Sequence, residues 1–395
     1  MLVSITACNN TPSADPLEKN NTTKETKPKL QTAADSKTKI KLPDTGQAQC
    51  FDSLKQIDCP SEGEAFFGQD AQYLSNKPSF VDNGDGTVTD QNTGLMWTKA
   101  AGEKLDYLDI EASSFAGYDD WRVPSIKELY TLIDFSGIDV NAKLRSDQGL
   151  TPFIDTEYFD FEYGDTSSGD RIIDSQWATS SLYVSKVMNR EECFFGVNFA
   201  DGRIKCYPTR KGKGYFARFV RGDYTDNDFY DNKNQTITDK STGLIWQKQD
   251  SGRGMNWQEA LAYCEDLKLG GHSNWRLPNA KELQFIIDYS RSPDTTNSAA
   301  IDPLFETSEI KNEAGQKDYP FYWTSTTHLN QRNAQEGVYV AFGRALGYMN
   351  GKWMDVHGAG AQRSDPKTGS ADDFPQGFGP QGDARRIDNY VRCVR

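Results

Sequence analysis

The residues that could carry acid–base or metal chemistry are few and far apart. The 395-residue chain has three histidines, His272, His328 and His357, and none has a partner at metal-ligand spacing. No GxSxG, HExxH or phosphate-binding glycine motif occurs. The sequence therefore predicts a protein that is not an enzyme and has no metal site. An unidentified hydrolase or transferase activity stays as an alternative.

The cysteines point to crosslinks rather than to a metal centre. Six of them fall within the aromatic-rich part of the chain: Cys50, Cys59, Cys193, Cys206, Cys264 and Cys393. No CxxC motif or Cys/His cluster accompanies them, so metal-binding thiolates are the weaker alternative. Three disulfides require an oxidising compartment and hence predict an exported protein.

The seventh cysteine is a candidate lipid attachment site. Cys8 follows Ile5-Thr6-Ala7, a bacterial lipobox pattern, although residues 1–8 lack the basic and apolar parts of a full signal. We expect a diacylglycerol anchor at Cys8. Asn9 follows it, which favours the outer membrane, on its surface or periplasmic face. The alternative is an ordinary amino terminus with a chance cysteine.

The segment after Cys8 and the overall charge narrow the partners. Residues 9–45 are polar and contain no aromatic residue, which predicts a disordered tether. The net charge of −13 argues against nucleic acid as a partner and disfavours sulfated polysaccharides. No run of about 18 apolar residues is present, so no membrane-spanning helix is expected.

Five segments occur twice in the same order and divide the chain into two copies of one domain. The pairs are 85–99 with 234–248, 118–136 with 273–290, WATSS (177–181) with WTSTT (323–327), 197–203 with 338–344, and 217–221 with 390–395. Domain 1 is predicted at 78–223 and domain 2 at 226–395, after a small disulfide-closed module at 46–77. The period is too long for a solenoid and indicates a duplicated globular domain.

Comparison of the copies predicts how the cysteines pair. The positions equivalent to Cys264 and Cys393 are approximately Ile110 and Phe219, so both cysteines are replaced together by apolar residues. We therefore expect a Cys264–Cys393 bond between the first helix and the last strand of copy 2. Cys193 and Cys206 are both missing from copy 2 and are expected to bond to each other, which leaves Cys50 for Cys59.

Each copy is predicted to be α+β, with two helices on a small twisted antiparallel sheet and long loops. An alternating hairpin turns at 82–86, one helix starts after Asn256, and another follows Pro124 or Pro278. The acidic run 82–86 also suggests calcium. Copy 2 loses an acid and both glycines there but keeps the turn, so a turn is favoured.

A Trp-Arg pair recurs in both copies, as Trp121-Arg122 and Trp275-Arg276. Because a motif that survives duplication is more often scaffold than ligand site, we interpret the pairs as structural. Each arginine is expected to pair with an acid of the following helix, Glu128 or Glu282.

Copy 2 alone carries a long Gly-, Pro- and Asp-rich insertion at 358–383, where copy 1 has a short link at 210–214. Loops of this length without secondary structure are usually functional or disordered. We predict a ligand-binding loop, with calcium as an optional helper; a mobile or purely structural excursion is the alternative. The predicted ligand-binding residues are Arg363, Asp365, Lys367, Asp372, Asp373, Phe374, Phe378 and Asp383.

The segments GTVTDQNTGLMWTK, DWRVPSIKELYTLID, WATSS and VRCVR resemble the Lcl C-terminal domain family. The Trp-Arg-x-Pro-x-x-x-Glu-Leu stretch is also similar to formylglycine-generating-type proteins, which implies two tandem C-type-lectin-like domains. The family implies bacterial surface proteins in adhesion and glycan binding, without established catalysis. Its collagen-like adhesin binds sulfated glycosaminoglycans, and the acidity of this chain argues against that ligand.

These observations predict a non-enzymatic, lipid-anchored envelope protein that recognises glycans or other surface ligands and needs no cofactor. A homo-oligomer is compatible with the sequence. One alternative is an envelope structural or assembly protein that contacts other proteins or a filament. A second is an enzyme on a formylglycine-generating-like fold, although the copper-binding cysteines of such enzymes have no counterpart here.

Overall fold

Short apolar segments between Gly-, Asn- and Asp-rich turns form short strands in this chain. The computed structural model describes residues 40–395 and shows an α+β fold of small antiparallel sheets with few helices. The strands of the module and of copy 1 are β1 (Cys50–Phe51), β2 (Gln56–Ile57), β3 (Phe80–Asp82), β4 (Thr87–Asp90), β5 (Met96–Thr98), β6 (Leu105–Asp106), β7 (Gln176–Trp177), β8 (Cys193–Asn198), β9 (Arg203–Pro208), β10 (Gly214–Tyr215) and β11 (Val220–Arg221).

Copy 2 contains more regular structure than copy 1. Its strands are β12 (Phe229–Asp231), β13 (Thr236–Asp239), β14 (Ile245–Gln247), β15 (Ile310–Lys311), β16 (Lys317–Asp318), β17 (Phe321–His328), β18 (Glu336–Ala341), β19 (Leu346–Met349), β20 (Lys352–Asp355) and β21 (Gln362–Pro366). The α-helices are α1 (Ile126–Tyr130) in copy 1, and α2 (Trp257–Glu265) and α3 (Ala280–Phe285) in copy 2. No helix within residues 40–395 is long and apolar enough to cross a membrane.

The acidic run at 82–86 is a turn, as favoured from the sequence. The Asn83 N–H donates to the Thr87 carbonyl at 3.0 Å, and the Gly84 N–H donates to the Asp82 carboxylate at 2.9 Å. In copy 2, Asn232 N–H repeats the first bond to Thr236 at 3.1 Å. The acids therefore close the hairpin between β3 and β4, which is the role that Asx turns give to Asp and Asn.

The Trp-Arg pairs anchor the start of α1 and α3, as predicted. The Ser125 side chain caps α1 by accepting from the Glu128 N–H. In the opposite direction, the Ser125 N–H donates to the Glu128 carboxylate at 2.8 Å. The same carboxylate binds both Arg122 Nη atoms, at 2.8 and 2.5 Å. Copy 2 repeats the arrangement with Asn279, Glu282 and Arg276. A capping box and a bidentate ion pair thus share one acid.

The prediction of two helices in each copy holds only for copy 2. Copy 1 has a single 3-10 turn, Tyr107–Asp109, where copy 2 has α2. The chain from Tyr107 to the next tryptophan, Trp121, is about one helical turn shorter than the corresponding chain in copy 2. The turn also lacks a side-chain cap, whereas Asn256 caps α2. Both differences favour the shorter element.

The three predicted disulfides are all present. Cys50 bonds to Cys59 within the module, and Cys193 to Cys206 across β8 and β9. Cys264 on α2 bonds to Cys393 in the last segment of the chain. The comparison of the repeats therefore gave the correct pairing among the fifteen that six cysteines allow.

The two copies share one six-stranded antiparallel sheet, which the sequence did not predict. Its order is β17-β18-β21-β9-β8-β7, with copy 2 on one side and copy 1 on the other. Val197 pairs with Ile204 in copy 1, and Val340 pairs with Gln362 in copy 2. Ile204 and Gln362 also pair with each other across the junction. Because equivalent residues meet there, the copies are related by an approximate twofold axis, as in an isologous dimer.

The strand register corrects two of the repeat matches. Trp177 pairs with Val197, and Tyr322 pairs with Val340, so Trp177 is equivalent to Tyr322 rather than to Trp323. The segment WATSS therefore matches YWTST at 322–326, one residue earlier than predicted. By the same register 197–199 matches 340–342, and copy 2 has a shorter turn before Gly343. A slip of one residue is decisive, because it reverses which face each side chain occupies.

The core also continues across the junction. One hydrophobic cluster includes buried Trp97 and Trp177 of copy 1 together with Trp246 and Val340 of copy 2. All described residues belong to one compact unit. The tandem domains are thus fused through sheet and core rather than linked as independent bodies.

The module ahead of copy 1 starts earlier than predicted. Ile40, Leu42 and Thr45 are buried, so the last six residues of the predicted 9–45 tether belong to the fold. Ile40 and Leu42 pack with Phe285 and Tyr224, which explains why this apolar pair is not solvated. Cys8 and the remainder of the predicted tether lie outside the described residues.

Candidate functional site

The insertion at 358–383 contains a strand of the central sheet, which the sequence interpretation as a loop did not foresee. Residues 362–366 form β21, which pairs with β18 of its own copy and with β9 of copy 1. β21 takes the position in copy 2 that β9 takes in copy 1. The chain added in copy 2 therefore comes in two pieces, the β19–β20 hairpin before β21 and the segment 367–384 after it.

Four of the predicted ligand-binding residues lie inside the fold and are held by intramolecular bonds. The Arg363 guanidinium and the His357 ring both bind the Asp383 carboxylate. Asp365 accepts from the Asn389 amide at 3.0 Å. Burial opposes the charge on Asp383, but Arg363 and His357 outweigh it and hold its pKa well below the ordinary range. These side chains stabilise the insertion from within.

Lys367, the fourth of these residues, has no free surface for a ligand. Its ammonium group lies 4.0 Å from the centre of the Trp257 ring and donates to the Asp52 carbonyl at 2.9 Å. Burial lowers its pKa well below that of a free lysine. The cation–π contact ties the insertion to α2 and to the module.

The other four predicted residues lie together at the surface. Asp372 and Asp373 belong to a 3-10 turn, Ala371–Asp373, whose cap is the Ser370 side chain. The rings of Phe374 and Phe378 follow at 6.1 Å from each other in an edge-to-face arrangement. The structure therefore divides the predicted set into a structural half and an accessible half.

Two residues of the accessible half, Asp372 and Phe374, border a cavity of about 470 Å³ that we call the aromatic cavity. Its apolar walls are Trp353, Phe374 and Tyr390, and Asp372, Arg386 and Asp388 also line it. All three rings are half-buried. Ring faces beside a few charged groups are the composition of a small-molecule site.

Two elements that copy 1 lacks position these rings. The β19–β20 hairpin carries Trp353, whose ring contacts Tyr348 edge-to-face at 5.4 Å. The segment after β21 returns beside this hairpin, where the Tyr348 N–H donates to the Gly382 carbonyl at 2.8 Å. Phe374 is thereby brought to the wall facing the hairpin. The cavity is thus a property of copy 2 alone.

One arginine of the aromatic cavity, Arg386, is matched by an acid that also lines it. Arg386 donates from Nε and Nη2 to the Glu313 carboxylate at 2.8 and 3.1 Å, and its guanidinium lies 3.7 Å from the Phe321 ring centre. Burial would raise the pKa of Glu313, but Arg386 outweighs it and lowers that pKa. Burial and the nearby Glu259 raise the pKa of Asp388.

A second cavity, of about 600 Å³, lies between the copies on the other side of Arg385. Its floor holds two ion pairs, Asp139 with Arg203 at 2.8 Å and Glu336 with Arg385 at 2.7 Å. The Arg385 guanidinium is 4.9 Å from the Phe378 ring, so Arg385 and the insertion separate the two cavities. Side-chain amides line the remainder: Asn141, Asn330, Gln331, Asn333 and Gln335.

Two of the three histidines are structural. Burial lowers the pKa of His328 to about 3, and its ring stacks on Phe153 at 5.4 Å. Burial likewise lowers the pKa of His357 to about 4. Within residues 40–395, no group of three or more His, Cys, Asp or Glu side chains could hold a metal ion.

Comparison with known families now adds to this geometry. The model of the Lcl C-terminal domain matches residues 86–221 and 235–358, which is more than half of the chain. The chain belongs to the Lcl C-terminal domain family. No curated protein and no solved structure matches it. The second Lcl match ends at Gly358, so Phe374 and Tyr390 of the aromatic cavity lie beyond it.

Sequence reasoning missed Trp353, Arg386 and Tyr390. The signal for Trp353 was the second insertion in copy 2, which separates the equivalents of β8 and β9 and carries this residue. This insertion was not recognised from the sequence, because 197–203 was matched with 338–344 in the wrong register. With the corrected register, the two copies of the Lcl domain differ at both walls of the cavity.

Proposed function

We propose that the chain is a non-catalytic recognition protein of the bacterial envelope and binds glycans in the aromatic cavity. The observation that carries the proposal is the meeting of Trp353, Phe374 and Tyr390 around one cavity beside ion-paired Arg386. Sugar rings present C–H faces that pack on aromatic rings and hydroxyl groups that exchange bonds with charged side chains. Membership of the Lcl family and the predicted C-type-lectin-like fold support the same class of ligand.

The charge of the site favours neutral sugars. Arg386 is already paired with Glu313, while two acids, Asp372 and Asp388, and one cation, Lys311, are exposed at the cavity. A sulfated or phosphorylated glycan would place its anion beside these carboxylates, in a chain of net charge −13. The partner is therefore a neutral or amino-substituted glycan of the cell surface.

Replacing Trp353 with alanine is expected to weaken glycan binding by about tenfold or more, because one wall of the cavity loses its ring. A glycan array identifies the ligand, and titration calorimetry compares the variants. Tyr230→Ala, which removes an exposed ring of copy 2 away from the cavity, is the matched control and retains binding. Equal affinities of Trp353→Ala and wild type would place the glycan elsewhere.

Deletion of the whole insertion and deletion of its surface part should have different results. Removing 358–383 takes β21 out of the six-stranded sheet and leaves β18 and β9 each unpaired on the side that faced β21, so the variant is expected to be unfolded. Removing 371–380 leaves β21 in place and is expected to abolish glycan binding with the fold intact. Circular dichroism and thermal melting separate the two outcomes. A folded 358–383 deletion would contradict the assigned role of β21.

The proposed location is the outer membrane, through a lipid on Cys8. Mass spectrometry of the mature protein from a full-length gene tests for the diacylglycerol thioether, and protease treatment of intact cells tests surface exposure. Co-purification of a fixed protein partner, together with an empty glycan array, would favour the alternative of an envelope assembly protein.

A further inference from the structure

The module at 40–77 packs on copy 2 through a small set of specific bonds. The Gln47 amide binds the edge of β17, accepting from the Thr327 N–H and donating to its carbonyl, both at 2.8 Å. The Thr326 hydroxyl donates to Asp70. The Phe66 ring lies 6.3 Å from Trp257 of α2. In copy 2, the backbone of Thr327, the hydroxyl of Thr326 and the ring of Trp257 therefore each contact a group of the module.

The module also bonds to copy 1 just after α1. The Phe135 N–H donates to the Thr45 carbonyl at 2.7 Å. The segment 44–47 therefore lies in a groove between the end of α1 and the edge of β17. The Lys281 ammonium on α3 closes this groove by donating to the Asp44 carbonyl at 2.8 Å.

The approximate twofold axis maps this footprint onto the opposite side of the protein. Thr179 and Thr324 make the same bond, from the hydroxyl to the carbonyl of the neighbouring strand. The residues that follow them are therefore equivalent, and Ser181 corresponds to Thr326 and Leu182 to Thr327. Tyr107 corresponds to Trp257, since each donates from its side chain to the carbonyl of the equivalent threonine. In the repeated DFS and DYS segments, Tyr289 corresponds to Phe135.

On that side the equivalent groups lack a counterpart to the module's groups within residues 40–395. Neither the N–H nor the carbonyl of Leu182 makes a hydrogen bond there. The Ser181 hydroxyl accepts from the Ile126 N–H at 2.9 Å, as Thr326 accepts from Ala280, but finds no acceptor in the described chain. The Tyr289 N–H is likewise unbonded to described residues. This side of the fold, formed by copy 1 and by Tyr289 of copy 2, thus retains the recognition groups without a module bound to them.

The space in front of these groups is open. A groove of about 730 Å³ is lined by Ser181, Tyr289 and Lys127, and a neighbouring one of about 550 Å³ by Tyr107 and Leu182. The linker between the copies occupies one part of the equivalent position. Lys127, the counterpart of Lys281, binds Asn227 of the linker, whereas Lys281 binds the module. The remainder of the footprint is uncovered.

The open surface is more apolar than the covered one along the edge that contains Leu182. Leu182 replaces Thr327, and Leu108, Leu182 and Val184 are 63%, 54% and 39% exposed. A module joined by the chain loses little freedom when it docks, whereas a separate partner loses translational and rotational freedom. Additional apolar surface is what a partner bound only by contacts requires. The difference between the copies therefore favours a separate molecule on copy 1.

We propose that copy 1, together with the Tyr289 N–H of copy 2, binds a polypeptide segment of another protein in this vacant counterpart of the module's site. The partner supplies a carbonyl to the Tyr289 N–H and an amide or strand backbone to Leu182. It also supplies an acceptor to Ser181 and an apolar side chain to the groove beside Tyr107. Addition of an extended segment to an open sheet edge is an established mode of peptide recognition.

The test uses the module itself as the probe, because its groups match those that the surface presents. A synthetic peptide of residues 40–77 with its Cys50–Cys59 bond is titrated into the full chain by calorimetry. We expect saturable one-to-one binding, weakened about tenfold or more by Leu182→Lys, which places a charge on the open edge. Leu74→Lys in the full chain changes an exposed leucine outside both grooves and leaves binding unchanged.

Hydrogen exchange on the same samples locates the contact without a mutation. The Leu182 and Tyr289 amides should exchange quickly in the free protein and slowly with the peptide bound. No binding to the full chain, or binding that Leu182→Lys does not change, overturns the proposal. A concentration-dependent dimer that Leu182→Lys dissolves, without peptide binding, also overturns it, because a second copy would then be the occupant.

Discussion

Replacing Cys264 and Cys393 together with alanine is expected to lower the free energy of unfolding by about 5 kcal/mol. The bond closes a loop across a sequence separation of 129 residues, and the entropy that a crosslink removes from the unfolded chain increases with loop length. Both cysteines are fully buried, so the substitution also removes packing between α2 and the last segment. Urea unfolding of the oxidised proteins, followed by tryptophan fluorescence, measures the difference.

The matched control removes the bond between Cys50 and Cys59. It spans a separation of only 9 residues, and the same entropy relation gives about 3 kcal/mol. A larger loss for this short loop than for the long one would show that contacts of the module, rather than loop entropy, dominate the contribution of the crosslinks.

The stability of the protein relative to an Asp70→Asn variant is expected to fall by roughly 4 kcal/mol as the pH rises from 4 to 7. The pKa of Asp70 is raised to about 7, chiefly by burial and also by Asp44 and Glu282, whose effects outweigh the opposing bonds from Thr326 and Thr45. Between the unfolded and folded pKa values the folded state holds a proton that the unfolded state has lost. Stability from this group is therefore complete below about pH 4 and is lost as the pH rises through 7.

Urea titrations at pH 4.5 and 7.5 on both proteins measure the effect, and the difference between the proteins cancels the other titrating groups. Asp58→Asn, at an exposed position of the same module, is the control. A parallel pH profile for wild type and Asp70→Asn would show that Asp70 is ionised in the fold at both pH values. Because Asp70 binds Thr326 of copy 2, we further expect the module to loosen first above pH 7.

Much of the local structure could be predicted because it depends on neighbouring residues. The turn at 82–86, the caps of α1 and α3, and the pairing of Arg122 with Glu128 each follow from residues a few positions apart. The disulfides were also predictable, although Cys264 and Cys393 are distant, because the duplicated sequence serves as an internal comparison. Family membership followed from the same repeated motifs.

The arrangement of the copies could not be predicted, because it depends on contacts between segments that share no pattern. No pattern in the sequence around Gln362 indicates that this residue pairs with Ile204 at the junction. The composition of 358–383 resembles a loop, yet β21 within it is buried on both sides by strands. Polar residues such as Arg363 and Asp365 are tolerated there because each finds an intramolecular partner, and such partners are visible only in the fold.

The same lack of local signal explains why only part of the candidate site could be predicted from the sequence. Asp372 and Phe374 were found because they lie in an insertion, but the insertion alone does not show which of its side chains reach the surface. Trp353 comes from a different segment and meets them only after β19 and β20 have paired. A site assembled from two insertions cannot be read from either one.

The position of the segment 40–47 has a mechanical consequence. A pulling force applied to the chain ahead of Ile40 would enter the fold where Thr45 is bonded to copy 1 and Gln47 to copy 2. The Lys281 ammonium group on α3 also binds this segment, by donating to the Asp44 carbonyl. The load would divide between the two copies at their junction instead of peeling one strand from an edge.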